Sequence, residues 1–216
     1  PASLIAKAPL VPAVSTALPV KTLQEFAAYA RARPGELAYG TTGRGSNAHL
    51  TGAMIATALG IRMTDVPYKG TAPALTDLLA GRVDAYFSTL STAQAHIDAG
   101  KLVPLATTGL VRPPFLDKLP TMAESGFAGF NAVNWYAFVA PGKTAMPLLV
   151  RWNQELVKVL SAPDVKDELL KHGLVAQPGS REELARVIEA ESRVWGKLIR
   201  ERKISAEDLY ALKLWR

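Results

Sequence analysis

Short apolar segments alternate with longer helical segments between residues 37 and 107, and this rhythm constrains the fold more than any other feature. The strand-like segments are 37–41, 63–68, 83–88 and 103–107, and the helical segments between them are 46–59, 72–80 and 92–99. A glycine closes each helical segment, at Gly60, Gly81 and Gly100. The alternation predicts a βα array that forms a largely parallel sheet.

The segments that flank this array have a different character. Residues 1–20 form an apolar, proline-punctuated stretch that we expect to be extended, and Thr22 and Glu25 form a capping box for a helix that ends near Arg33. After residue 114 we expect a short helix at 121–125, a strand at 133–140, and helices at 146–160, 164–172 and 181–202. These last helices have few strands to cover. They either pack on the back of the central sheet or belong to a second domain whose other strands lie upstream of Pro1.

Composition and charge exclude several functional classes. The 216 residues contain no cysteine, and His49, His96 and His172 lack the spacing of metal ligands, so no disulfide, thiolate catalysis or metal site is expected. The net charge of +6 comes largely from C-terminal basic residues that alternate with acidic ones, which indicates a solvated helix face and not a nucleic-acid surface. No apolar run reaches the ~18 residues of a membrane span. We therefore expect a soluble protein without direct membrane insertion.

A glycine-rich turn at residues 39–50 leaves a predicted strand and enters a predicted helix. Backbone N–H groups at a helix N-terminus suit a carboxylate or phosphate. The alternative is a tight structural turn in which Ser46 only caps the helix. If the loop binds an anion, the candidate donors are the N–H groups of residues 43–47 and the hydroxyls beside them; the candidate residues are Thr41, Thr42, Gly43, Gly45, Ser46, Asn47 and His49.

Three more specific functions use comparable loops: a P-loop, a serine hydrolase and a dinucleotide-binding site. A P-loop would need a lysine after its last glycine, and Ser46 follows instead. A serine hydrolase would need a Gly-x-Ser-x-Gly elbow, which is absent. The pattern Gly43-x-Gly45-x-x-Ala48 fits a loose dinucleotide fingerprint, but its acidic partner Asp65 falls inside the next strand. A nicotinamide-dependent enzyme that uses this loop therefore remains as the alternative function.

Two further turns follow the neighbouring predicted strands. The first carries Tyr68 and Lys69, with Thr71 as the expected helix cap. Either these two side chains reach a ligand, or Tyr68 packs against the protein and Lys69 faces solvent. The second carries Ser88 and Thr89, followed by two more hydroxyl residues. Ligands bind at the carboxyl ends of strands in open α/β sheets, so three polar turns at one edge predict a pocket.

These segments together resemble the Bug family, the extracytoplasmic solute receptors of tripartite tricarboxylate transport systems. The resemblance is carried by YGTTGRGSNAHL at 39–50, VPYKGTAPALTDLL at 66–79 and LPTMAESG at 119–126, and it extends over residues 1–207. It implies a type II periplasmic binding protein fold, with two α/β domains joined by crossover strands. Residues 1–17 and 132–216 would form part of an incomplete domain one, and residues 18–131 would form domain two.

The resemblance also implies a function without catalysis or cofactor. The chain would be a periplasmic receptor that closes around a small carboxylate and delivers it to membrane transporter subunits or a sensor kinase. Ser88 stands where many members carry aspartate, and Ser91 where they often carry proline. An amino-acid ligand is therefore less expected than another small organic anion. Residues 208–216 extend past the usual end of family members.

Overall fold

The computed structural model describes residues 1–204, so the expected tail at 208–216 lies outside the described residues. A single hydrogen-bonded turn, in which the Ser125 N–H donates to the Thr121 carbonyl at 3.0 Å, replaces the short helix expected at 121–125. The α-helices and β-strands of the described range are β1 (Ser3–Ser15), α1 (Leu23–Arg31), β2 (Ala38–Thr41), α2 (Asn47–Leu59), β3 (Thr64–Pro67), α3 (Thr71–Leu79), β4 (Ala85–Thr89), α4 (Leu90–Asp98), β5 (Leu102–Pro104), β6 (Val133–Phe138), α5 (Met146–Ser161), α6 (Pro163–Lys171), β7 (Val175–Ala176) and α7 (Arg181–Glu201).

The strand β1 takes part in two groups of strands. Residues 3–9 pair antiparallel with β6, and Ala6 and Lys7 pair with β7. Residues 10–15 pair antiparallel with β4 and β5. All of β1 is buried except Ile5 and Lys7, which are half-buried. A strand covered on both faces is expected to be a nearly continuous apolar run, and the sequence of residues 1–20 has that character.

The βα array forms the sheet order β3-β2-β4-β1-β5. β2 pairs parallel with β3 and with β4, as the alternation predicts. β1, however, lies between β4 and β5 and runs antiparallel to both. The expectation of a largely parallel sheet is therefore wrong for the centre of the sheet, because the N-terminal strand inserts there.

Local capping signals set several helix ends where the sequence places them. Thr22 with Glu25 and Ser180 with Glu183 form complete capping boxes at α1 and α7. Gly60 ends α2 in the left-handed conformation, with φ +63°. These expectations are confirmed.

The starts of α3 and α4 differ from the sequence expectation. Gly70, with φ +118°, is the N-cap of α3, and Thr71 is the first helical residue instead of the cap. Positive φ is readily adopted only by glycine, so this turn depends on Gly70. α4 begins at Leu90, two residues earlier than expected, so Ser91 and Thr92 lie in its first turn.

Burial is uneven along the chain. The larger core cluster lies between the β2–β4 sheet and its helices, and its largest fully buried side chains include Phe26, Phe87, Leu23, Ile55, Leu59 and Met122. In contrast, α5 buries only Leu160, and on β6 Tyr136 and Phe138 are 45% and 49% exposed. The C-terminal helices pack mainly on the strands of this part of the chain, α5 and α7 against β1 and α6 against β7, and α7 also contacts α2.

Within residues 1–204, no helix combines the length and the apolarity needed to cross a membrane. The expected domain boundaries, at 17/18 and 131/132, stay a prediction. β1 forms ladder hydrogen bonds with strands on both sides of them.

Candidate functional site

The three polar turns follow strands that are neighbours in the sheet. β2 lies between β3 and β4 and runs parallel to both, with Thr41 in register with Pro67 and Tyr39 with Ala85. Their carboxyl ends therefore meet at one edge of the sheet. The structure brings the predicted turns together, and the assignment of their residues to a ligand stays a prediction.

The loop between β2 and α2 is ordered by its own hydrogen bonds. The Gly43 N–H donates to Thr41 Oγ1 at 3.3 Å, and the Ser46 N–H donates to the Gly43 carbonyl at 3.1 Å. Gly43 and Gly45 have φ +113° and +75°, conformations that L side chains rarely adopt. Thr41 is buried and Thr42 is exposed at the start of the loop.

His49 fixes the far side of the same loop. Its Nδ1 accepts a hydrogen bond from the Gly45 N–H at 3.0 Å, so the proton of the neutral ring is on Nε2. Burial lowers the pKa of His49, although the nearby Asp65 carboxylate opposes this shift. The imidazole therefore acts as a neutral brace of the loop at pH 7. Burial is the largest cause of this lowered pKa, and the positive charge of Arg44 adds to it.

The N-terminus of α2 offers backbone donors beside this loop. Ser46 caps α2 through Oγ, which accepts from the His49 N–H at 3.3 Å. Three of the five backbone donors expected for a ligand, those of Gly43, Gly45 and Ser46, donate within the loop. The first residues of a helix have N–H groups without intrahelical acceptors, and for α2 these begin at Asn47. An anion would therefore bind nearer to Asn47 than to the centre of the loop.

Tyr68 and Lys69 occupy the second turn. The Tyr68 hydroxyl donates to Asp77 Oδ2 at 2.8 Å, and burial together with this bond raises the pKa of Tyr68 to about 12. Its ring lies 3.6 Å from the position that a Cβ on Gly40 would take. Lys69 is exposed. Because the Tyr68 hydroxyl already donates to Asp77, this bond favours a structural role for Tyr68 over ligand binding.

Ser88 and Thr89 end β4 in the third turn. Ser88 is buried, at 7% exposure, and its Oγ has no hydrogen-bond partner among the described residues. Thr89 is the N-cap of α4, but its side chain makes no capping bond. Its Oγ1 lies 3.2 Å from Ser91 Oγ and 3.3 Å from Thr92 Oγ1. A buried hydroxyl without a partner is costly, so Ser88 is the side chain here with most to gain from a bound acceptor.

Two residues from the C-terminal part of the chain also reach these turns, and neither was predicted from the sequence. Asn134 of β6 accepts a hydrogen bond from the Asn47 side-chain amide. Gly173, with φ +70°, lies where an added Cβ would be 3.6 Å from Leu90 Cβ and 3.8 Å from the Ser91 nitrogen. No local motif marks either residue, because each reaches its turn only through the tertiary fold. Across residues 1–204, no cluster of histidine and acidic side chains could hold a metal ion.

The geometry of His49 predicts a pH dependence of stability. The unfolded chain takes up a proton on this histidine near pH 6.5, whereas the folded protein does so only at lower pH because burial lowers the pKa of His49. Stability is therefore expected to fall as the pH drops below about 6.5, until the folded form also protonates. Unfolding midpoints measured between pH 7.5 and 4.5 in the wild type and in His49→Gln test this.

The substitution His49→Gln is expected to flatten the slope, and His172→Gln is its control because the His172 side chain is 68% exposed outside the loop. An identical slope in the wild type and His49→Gln would contradict the prediction.

The sequence of residues 1–204 matches the family model of the tripartite tricarboxylate transporter family receptor. A curated relative, the UPF0065 protein in the tcbD-tcbE intergenic region of Pseudomonas sp. (strain P51), is 34% identical over 95% of this chain. The chain spans 62% of the length of that relative.

Solved structures show the same likeness. R. palustris Rpa4515 with adipate is 35% identical with a TM-score of 0.85, and periplasmic binding protein BugD is 29% identical with a TM-score of 0.79. Both alignments cover 95% of this chain and 69% of the solved chain. They confirm the type II periplasmic binding protein fold that the resemblance implied. The family match and the structural likeness together lead to one conclusion: the chain belongs to the tripartite tricarboxylate transporter receptor family.

Proposed function

We propose that this protein is an extracytoplasmic receptor that binds a small organic anion, a carboxylate above all. The observation that carries the proposal is the glycine loop braced by His49 at the N-terminus of α2. Its family supports it, since receptors are what the matching family model describes, and the structure of Rpa4515 is described with adipate.

The anion would bind between the N-termini of two helices. The first-turn N–H groups of α2 and the side chain of Asn47 would donate to the two oxygens of one carboxylate. The Ser88 and Thr89 hydroxyls at the start of α4 would donate from the other side. Each such bond to a charged carboxylate contributes about 1.5–3 kcal/mol, so four or five of them would together contribute about 6–15 kcal/mol before the cost of association.

Location and partners follow from the family in the same proposal. The receptor would act in the periplasm and deliver its anion to membrane transporter subunits or a sensor kinase, without catalysing a reaction. The nicotinamide-dependent enzyme gains no support: Asp65 lies within β3, paired with Tyr39, and not at the end of that strand. The described turns offer donors for an anion and no nucleophile activated by a base.

The domain arrangement is part of the proposal. The outer face of β6 and α5 is apolar and exposed, with Trp152 42%, Val159 53% and Phe138 49% accessible. These side chains, with Leu156, line an open hollow of about 340 Å³. Large exposed apolar patches mark interaction surfaces. We propose that a segment equivalent to the unmatched part of the relatives packs here and completes domain one and the cleft.

Ligand screening by thermal shift tests the function. The protein would be produced as the 216-residue chain and as a version extended with the corresponding segment of Rpa4515. A dicarboxylate such as adipate at a hundred times its Kd is expected to stabilise the extended protein by about 2.7 kcal/mol. The 216-residue chain is expected to respond weakly or not at all. Stabilisation by nicotinamide cofactors alone would contradict the receptor function and favour the enzyme.

A further inference from the structure

Asn134 is joined to the candidate anion site from a distant part of the chain. It lies in β6, in register with Ala8 of β1, and its Oδ1 accepts a hydrogen bond from Asn47 Nδ2. Asn47 is the first residue of α2, directly after the glycine loop. This bond therefore ties the strand of one half of the molecule to the helix N-terminus of the other half.

The Asn47 carboxamide is held from both of its ends. The buried Thr51 hydroxyl donates to Asn47 Oδ1 at 3.1 Å, while Asn134 takes one N–H of the amide nitrogen. A carboxamide has two N–H donors and one carbonyl acceptor. These two contacts fix which end of the amide carries the donors and leave a second N–H that neither contact uses. That N–H belongs to the residue at which the first-turn donors of α2 begin.

The position of Asn134 in β6 is itself well determined. β6 pairs with residues 3–9 of β1, and the same strand continues from Leu10 into its pairing with β4. Asn134 therefore lies near the point at which β1 passes from one group of strands to the other. Any movement of β6 relative to the βα array must break or stretch its bond to Asn47.

We propose that Asn134 is a positioning residue of the anion site, which orients the Asn47 amide so that its second N–H meets the ligand together with the first-turn N–H groups of α2. The proposal rests on the proposed function, since the anion is the reason for the orientation. It adds a residue that no local motif of the sequence marks. It also assigns the second half of the molecule a direct part in forming the site before any ligand binds.

Amide hydrogen exchange in the ligand-free 216-residue chain tests the positioning. The substitution Asn134→Ala removes the acceptor, and exchange at the hydrogen-bonded backbone amides of Gly45, Ser46 and His49 is expected to become about fivefold faster, the effect of losing one hydrogen bond. Asn134→Asp keeps an oxygen acceptor of the same reach and is expected to restore the wild-type rates. Asn131→Ala, at an exposed asparagine three residues earlier, is the matched control and is expected to change nothing there.

The outcomes separate this proposal from the proposed function. Unchanged exchange in Asn134→Ala, equal acceleration in Asn134→Asp, or acceleration throughout the molecule would each overturn the positioning role. Calorimetric titration of adipate into the extended wild-type protein addresses the function alone. If adipate and related acids fail there while exchange follows the expected pattern, the receptor function is wrong and the positioning of Asn47 stands. If adipate does bind the extended wild-type protein, Asn134→Ala is expected to weaken its affinity for adipate about fivefold.

Discussion

Replacing Gly45 by valine is expected to weaken carboxylate binding by about a hundredfold, since two charge-assisted hydrogen bonds of ~1.5 kcal/mol each are lost together. Gly45 has φ +75°, a conformation in which a β-branched residue is strained, and its N–H donates to His49 Nδ1. The valine must shift the loop, which breaks the brace and moves the start of α2. Isothermal titration of adipate into the extended protein measures the loss.

Two variants control for strain and for the hydroxyl. Gly35→Val introduces valine at φ +87° in the turn before β2, with no atom within 4 Å of the new Cβ, so affinity is expected to be unchanged there. Ser46→Ala removes only the cap of α2, worth about 1 kcal/mol, and is expected to weaken binding by at most about fivefold. If Gly45→Val binds as tightly as the wild type, the loop is a structural turn and the pocket lies elsewhere.

The substitution Gly52→Ala is expected to destabilise the protein by about 1–3 kcal/mol through overpacking, lowering the melting temperature by roughly 2–12 °C. The new Cβ would lie 2.2 Å from Cε2 of Tyr39, far inside contact distance. The ring has no room to move, because Tyr39 is 4% exposed, contacts Phe87 with ring centroids 5.4 Å apart, and donates its hydroxyl to the His49 carbonyl. Thermal unfolding followed by circular dichroism measures the effect.

Gly196→Ala is the matched control because Gly196 also lies inside a helix, and its added Cβ would meet only the flexible end of Arg200 at 3.4 Å. Alanine is a better helix former than glycine by roughly 0.5–1 kcal/mol, so this variant is expected to be more stable than the wild type. In a Tyr39→Val background, which lacks the ring, Gly52→Ala is expected to cost less stability than it does in the wild type. Equal stabilisation by both alanine substitutions would contradict the steric argument.

The residue pattern predicted the local elements well, since their signals are contained in a few neighbouring residues. Capping boxes at Thr22 and Ser180 and the left-handed glycine after α2 begin and end their helices where expected. The errors are shifts of one or two residues at the starts of helices. The start of α3 moved by one residue because Gly70 takes positive φ, and two additional residues joined α4. These ends are decided by the geometry of the preceding turn, which propensity does not specify.

The candidate site was predictable to the extent that it is made of turns after adjacent strands. The loop at 41–47 and the hydroxyls of Ser88 and Thr89 were found in this way. The hydrogen bonds of these residues could not be predicted, because the sequence does not show which N–H groups of the loop donate within the loop. The brace between Gly45 and His49 depends on how α2 is placed against the loop.

The sequence by itself determined the βα rhythm, the helix caps and the family motifs, since each is encoded by residues close together in the chain. Only the tertiary structure decided that β1 inserts antiparallel between β4 and β5, that Ser88 is buried without a partner, and that Asn134 reaches Asn47. The physical reason is separation along the chain. Asn47 and Asn134 are 87 residues apart, and only the packing of whole strands and helices brings such residues within hydrogen-bond distance.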